Sequence, residues 1–251
     1  MKSNHKNILI VFDASGHTAV SMRIATELAV KMQTGIRALY VEDNDLLNAV
    51  ELPFTREVSL QTAEKSNIDS ASMMQKFRAD AENIKKQIEE MALTHRVSLS
   101  FSSMRGQKAQ VIKNRTEEVN MVLIPAACSS RSGKQQTYHR DEIILVYEDN
   151  SPASEKSLNI ALSQAVKQNY QLIIFVNNEQ SKQHVEKKLR QKGVHAMCQV
   201  NDYSSLDEVV LLVYKHTPAL LVLPDDSPLV QDETILNKLI NFLQSDILLI
   251  R

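Results

Sequence analysis

Tryptophan is absent from the 251 residues, and aromatic side chains make up 5% of them. Base-stacking platforms for single-stranded nucleic acid are therefore not expected. An excess of one charge is lacking as well. The 29 Lys and Arg residues against 30 Asp and Glu leave a net charge of -1, which gives no global attraction to nucleic acid or to an anionic membrane. Cysteine is scarce: Cys128 and Cys198 lie far apart with no paired spacing. They fit a reducing compartment and exclude a disulfide framework. No apolar run approaches the length of a membrane span. The run in "MKSNHKNILIVFDAS" is too short for the apolar core of a signal peptide, and Asp13 ends it. These absences predict a cytoplasmic protein with neither a nucleic-acid nor a membrane partner.

What is present is an ordinary globular composition, 43% hydrophobic and 24% charged, at a length that suits one large or two small domains. A chain of this size buries roughly 70–75% of its unfolded surface and needs no covalent staple.

The most informative feature is an internal repeat. "NILIVFDASGHTAVSMRIATELAVK", from Asn7, aligns with "IILVYEDNSPASEKSLNIALSQAVK", from Ile143, with Asp13 on Asp149, Ser15 on Ser151, Ser21 on Ser157 and Ala25 on Ala161. Each copy reads as an apolar run, a polar turn and a helix. In the first helix Met22, Ala25, Ala29 and Met32 share a face; in the second, Leu158, Ala161 and Ala165 do. Small alanines there allow a helix to lie close on a sheet. The runs that follow, "IRALYV" (residues 36–41) and "LIIFV" (residues 172–176), are continuous rather than alternating, as in strands covered on both faces. Strand, helix, strand in series predicts a parallel α/β sheet.

In the first half Phe77, Ala81, Ile84, Ile88 and Met91 mark a long helix that starts near Leu60 in this reading. "VSLSFSSM" is a third strand ended by Gly106, residues 108–118 a helix and "MVLIP" a fourth strand. In the second half, helices around Val185 and Leu189, Leu206 to Val213, and Ile235 to Leu243 alternate with the strands "VHAMCQV", "ALLVLP" and "DILLI". That is about five strands against four. Too little chain lies between Pro125 and Asp141 for a further helix and strand, so the first half reads as truncated. The expected domains are residues 1–138 and 139–251. The open edge needs covering, which places the last strand, residues 246–251, at the junction of the halves or in a dimer seam.

Asp13-Ala14-Ser15 and Asp149-Asn150-Ser151 after a strand, each followed by a helix with spaced alanines, resemble the universal stress protein family. "DNSPASEKSL", "MRGQKAQVIKNRTEEVNMVLIP" and the terminal "DILLIR" resemble its corresponding segments. The resemblance covers most of both halves. It implies two tandem Rossmann-like domains of the adenine nucleotide alpha hydrolase type, with parallel sheet order 3-2-1-4-5, the first domain lacking its last helix and strand. It also implies a ligand crevice at the carboxyl ends of strands one and four, and in many members a dimer through the last strand.

Many members of that family bind ATP through Gly-x2-Gly-x9-Gly-Ser/Thr after the fourth strand, where backbone N–H groups cradle phosphate. Here the first glycine position falls on Pro125 and Pro224, and proline has no N–H to donate. The second falls near Cys128 and on Ser227, and the distal pair falls on Asn237-Lys238 or is deleted. Gly133-Lys134 does not restore a phosphate loop, which would need glycine at Cys128 and Ser or Thr at Gln135. "AACSSRSGKQQT" reads as a linker.

The candidate crevice residues are Asp13, Val41, Arg131 and Lys134 in the first half and Asp149, Val176, Asp225 and Asp226 in the second. Asp13 and Asp149 occupy the position that contacts the nucleoside in nucleotide-binding relatives; an Asp after a strand also caps the next helix. Asp149, Asp225 and Asp226 flank one crevice in the implied order. They would repel phosphate, hold a hard cation, or stand as solvated loop acids. His195 and Cys198 point to opposite faces of a strand and make no metal site. No Cys-x-x-Cys, helical His/Glu pair or Gly-x-Ser-x-Gly elbow occurs. The expectation is a regulatory, non-enzymatic protein without a cofactor that acts through protein partners or as a homodimer through its terminal strand. The alternative is a small-ligand or nucleotide-binding protein, or a weak ATPase, using a remodelled first-half crevice.

Overall fold

The computed structural model describes residues 7–14, 19–58, 65–126, 143–148, 151–200 and 206–251. These form two units, residues 7–119 and residues 120–126 with 143–251. The architecture is α/β with mostly parallel strands.

The first unit opens with β1 (Asn7–Phe12) and α1 (Ala19–Met32). Ala25 and Ala29 are fully buried, as small side chains must be where a helix lies close on a strand. Next come β2 (Gly35–Asp43) and α2 (Asn44–Val50), then the antiparallel pair β3 (Arg56–Val58) and β4 (Lys65–Asn67). The helix α3 (Ser70–Thr94) follows, with Phe77, Ala81, Ile84 and Ile88 as its buried stripe. It starts at Ser70, later than the sequence reading placed it. The Asp69 carboxylate accepts a hydrogen bond from the Ser72 N–H at 2.7 Å and fixes the first turn there.

The last elements of this unit are β5 (Leu99–Gly106) and α4 (Lys108–Thr116). Strand order is β5-β2-β1, all parallel, with Ile8 opposite Ile36 and Ile36 opposite Leu99. Successive β2 side chains serve opposite faces. Tyr40 meets Phe77 of α3 edge-on, with ring centroids 6.4 Å apart, while Leu39 lies toward Arg115 of α4.

The second unit comprises β6 (Met121–Ile124), β7 (Ile143–Glu148), α5 (Pro152–Gln168), β8 (Gln171–Val176), α6 (Glu179–Lys192), β9 (Met197–Val200), α7 (Leu206–His216), β10 (Leu220–Pro224), the short α8 (Pro228–Gln231), α9 (Glu233–Phe242) and β11 (Asp246–Ile250). Its strands run in the order β6-β11-β10-β7-β8-β9. All neighbours are parallel except β6 and β11, which pair antiparallel with Ile124 opposite Ile247 and Met121 opposite Ile250. Helix α5 carries its own start signals: Pro152 in the first turn and Ser151, whose hydroxyl accepts from the Ser154 N–H at 3.1 Å. Its end is Asn169 in the left-handed region.

The strand β6, read from sequence as the fourth strand of the first half, is counted with the second unit, where it pairs with β11. The fully buried run of β11 needs a partner on each edge. It has β10 on one side and β6 on the other. Polar contacts at both ends of the pair hold this register. The buried Asp246 carboxylate accepts from the Ala126 N–H at 2.9 Å, and the Arg251 N–H donates to the Asn120 carbonyl at 3.0 Å. The stretch in which a missing fifth strand was sought, residues 127–142, lies outside the described residues.

Candidate functional site

The carboxyl ends of the first unit's strands bring acids together. Asp13 follows β1; Glu42 and Asp43 close β2; Asp45 lies in the first turn of α2. Opposite them, Gly106 lets the chain leave β5 and enter α4 within two residues. Its φ is +158°, and a Cβ there would stand 3.0 Å from Val111 Cγ2. This turn places Lys108, the first residue of α4, with its ammonium 2.9 Å from Asp13 Oδ2. Both side chains are withdrawn from water, at 6% and 10% exposure. The aspartate that would face a nucleoside is thus held by a lysine of the same unit.

The surrounding contacts are internal too. Arg105 reaches Glu42 at 3.3 Å, the Gln107 amide donates to Asp45 at 3.4 Å, and the Asp45 N–H donates to Asp43 Oδ1 at 2.8 Å. Burial, with the charges of Asp45 and Asp13, raises the Asp43 carboxyl above the usual aspartate range, against the pull of backbone N–H groups.

Beneath this acid cluster the Tyr40 hydroxyl is buried without a hydrogen-bond partner among the described residues. Desolvation, then the charges of Asp80, Asp13 and Glu42, push its ionisation far upward, so it is a neutral phenol. A buried hydroxyl with no partner costs about 1–3 kcal/mol of desolvation. Tyr40→Phe is therefore expected to leave stability unchanged or raise it by about 1 kcal/mol. Urea unfolding of both proteins checks this; a loss exceeding that size would show that the hydroxyl is bonded.

Val41 and Val176 are fully buried. Val41 stands opposite Met104 in the β2–β5 ladder, and Val176 opposite Glu148 and Val200. Their side chains are core, so a ligand would meet only their backbone. Arg131, Lys134 and Asp149 lie outside the described residues. The helix that Asp149 was expected to cap is capped by Ser151. Among the described residues no group of three His, Cys, Asp or Glu is placed to hold a metal ion. Cys198, expected in the core, is half-buried, and His195 is exposed just before β9.

In the second unit Asp225 and Asp226 follow β10. The Asp225 N–H donates to the Ile250 carbonyl at 2.7 Å, its carbonyl accepts from the Gln231 amide at 2.8 Å, and its carboxylate lies 4.0 Å from Arg251 Nε. Burial first, then the Asp226 charge, raises the Asp225 carboxyl above its ordinary value of 3.8; Arg251 and backbone N–H groups oppose the rise. The folded protein thus holds that proton more tightly than the unfolded chain does. The associated stability is complete below about pH 4 and is lost as the pH rises through the raised value. Asp225→Asn should flatten that limb of the curve. Urea midpoints measured from pH 4 to 7 in both proteins check it, and an unchanged slope would refute it.

Sequence reasoning missed Lys108 and Tyr40. A signal for the lysine existed: a cation in the first turn of a helix opposes the helix dipole and calls for a nearby anion. For Tyr40 there was none, because an aromatic residue in an apolar strand reads as core.

No family model and no curated protein matches this sequence. Comparison with solved structures finds a universal stress protein from Archaeoglobus fulgidus at 9% identity and TM-score 0.50, covering 97% of this chain and 96% of that one. It also finds a universal stress protein family member from Burkholderia pseudomallei, at 11% identity and TM-score 0.31, covering 79% and 98%. UspA from Lactobacillus plantarum matches at 16% identity and TM-score 0.33, covering 54% and 83%. Parallel strands flanked by helices, an aspartate at the end of β1 and the full-length structural match together show that this chain has the universal stress protein fold.

Proposed function

We propose that this chain is a tandem, universal stress protein-like regulator that works by binding other proteins, without enzymatic activity and without ATP. The observation that carries the reading is the Asp13–Lys108 pair: the carboxylate that would meet a nucleoside already has a buried intramolecular partner. Pro125 and Pro224, buried after β6 and at the end of β10, support it by offering no N–H to a phosphate. The tandem reading is supported by the repeat and by the second unit. Counted from its own first strand β7, the parallel strands there run third, second, first, fourth, fifth. Its site of action is proposed to be the cytoplasm; among the described residues no helix is long and apolar enough to cross a membrane.

Mass spectrometry of protein purified rapidly in magnesium buffer, without added nucleotide, tests the reading. Less than one-tenth of an equivalent (roughly) of any adenine nucleotide is expected; near-stoichiometric ATP or ADP would overturn it.

A further inference from the structure

Arg37 stands in β2 at a position flanked on both edges, by Leu9 of β1 and Ser100 of β5, and its side chain is 42% exposed. It projects at the foot of α4. There a groove of about 320 Å3 opens against the sheet, floored by Leu9 and Leu39 and edged by the exposed Ser100 and Ser102. Arg37 and Arg115 enter it from the sheet and from α4, and both hold Glu118. Arg37 Nη1 lies 3.4 Å from Oε2, and Arg115 Nη1 lies 3.1 Å from each carboxylate oxygen. Two guanidiniums converging on one carboxylate form an anion-recognition pair already filled by an internal anion. Each arginine has five N–H donors. Among the described residues, one nitrogen of each is engaged, and always by Glu118. The three charges leave the groove net positive beside an apolar floor, the lining of a small-molecule site.

We infer that this groove binds a small organic anion, a carboxylate or phosphate head on a short apolar body, with the head on Arg37 and Arg115 and the body over Leu9 and Leu39. Glu118 is the competitor that the ligand displaces or shares. Ser100 and Ser102 add hydroxyl donors. The site is separate from the crevice at the strand ends. Leu9 lies four residues before Asp13, roughly 13 Å along an extended strand, so neither the proposed function nor the loss of the ATP motif bears on it.

The test is calorimetric titration of the full chain with phenyl phosphate, benzoate and neutral phenol, with amide NMR shifts of Ser100 and Ser102 to locate binding. Phenyl phosphate or benzoate, or both, should bind at millimolar concentration or below and shift those amides; which one binds identifies the head group. Arg115→Gln should weaken binding about tenfold, and Arg37→Gln similarly. Glu118→Gln should strengthen it several-fold by freeing both guanidiniums. Thermal melts accompany each variant, and Arg115→Gln, at the solvent end of α4, carries the test if Arg37→Gln does not fold. Phenol binding as tightly as phenyl phosphate, affinity unchanged in Arg115→Gln, or no shift at Ser100 and Ser102 with any probe in wild type and Glu118→Gln would each overturn the assignment.

Discussion

Replacing Lys108 by alanine is expected to destabilise the first unit by about 3–5 kcal/mol, the usual cost of leaving one member of a buried ion pair without its partner. Both groups are nearly closed to solvent, so water does not replace the ammonium at Asp13. Truncation also removes the methylenes that pack at the start of α4. The double substitution Asp13→Asn with Lys108→Met removes both charges and keeps their volumes. It should recover most of the loss, because a well-packed neutral pair avoids desolvation. Two units need not unfold together, so a single global midpoint is a poor readout. Amide hydrogen exchange in β1 and β2 reports on the first unit directly. Protection falling by less than tenfold in Lys108→Ala would show that the pair contributes little.

Mg-ATP should bind neither unit with a dissociation constant tighter than the millimolar range. Pro125 and Pro224 stand where backbone donors are needed, and each lost charge-assisted hydrogen bond to phosphate costs about 1.5–3 kcal/mol. Two or three such losses weaken binding by roughly a hundredfold to many thousandfold. The first crevice adds the Lys108 pair, and the second adds like-charge repulsion from Asp225 and Asp226 after β10. Calorimetry on the full chain measures this, with Asp13→Ala as the control. A low-micromolar constant abolished by that substitution would mean that the crevice reaches phosphate by another route and that Lys108 serves the ligand rather than Asp13.

The sequence by itself determined the α/β class, most of the elements and the likeness between the halves. These rest on local information. Continuous apolar runs at residues 8–12, 38–41, 172–176 and 220–224 form buried strands, and the Ala25/Ala29 and Ala161/Ala165 faces form helices that lie close on them. Element boundaries were less legible where a short-range cap competes with a long periodic pattern, as Asp69 does at the start of α3. That Pro125 and Pro224 offer no backbone N–H was also readable, since proline lacks a donor in any fold.

Only the tertiary structure decided which strand covers β11, what Asp13 faces and what Arg37 faces. Each depends on a contact across a long sequence separation: β6 with β11, Asp13 with Lys108, and Arg37 with Glu118. Periodicity and spacing carry no record of such partners. A charged residue in an apolar run or in a helix's first turn announces that it needs an opposite charge, but the chain must fold before geometry selects which one.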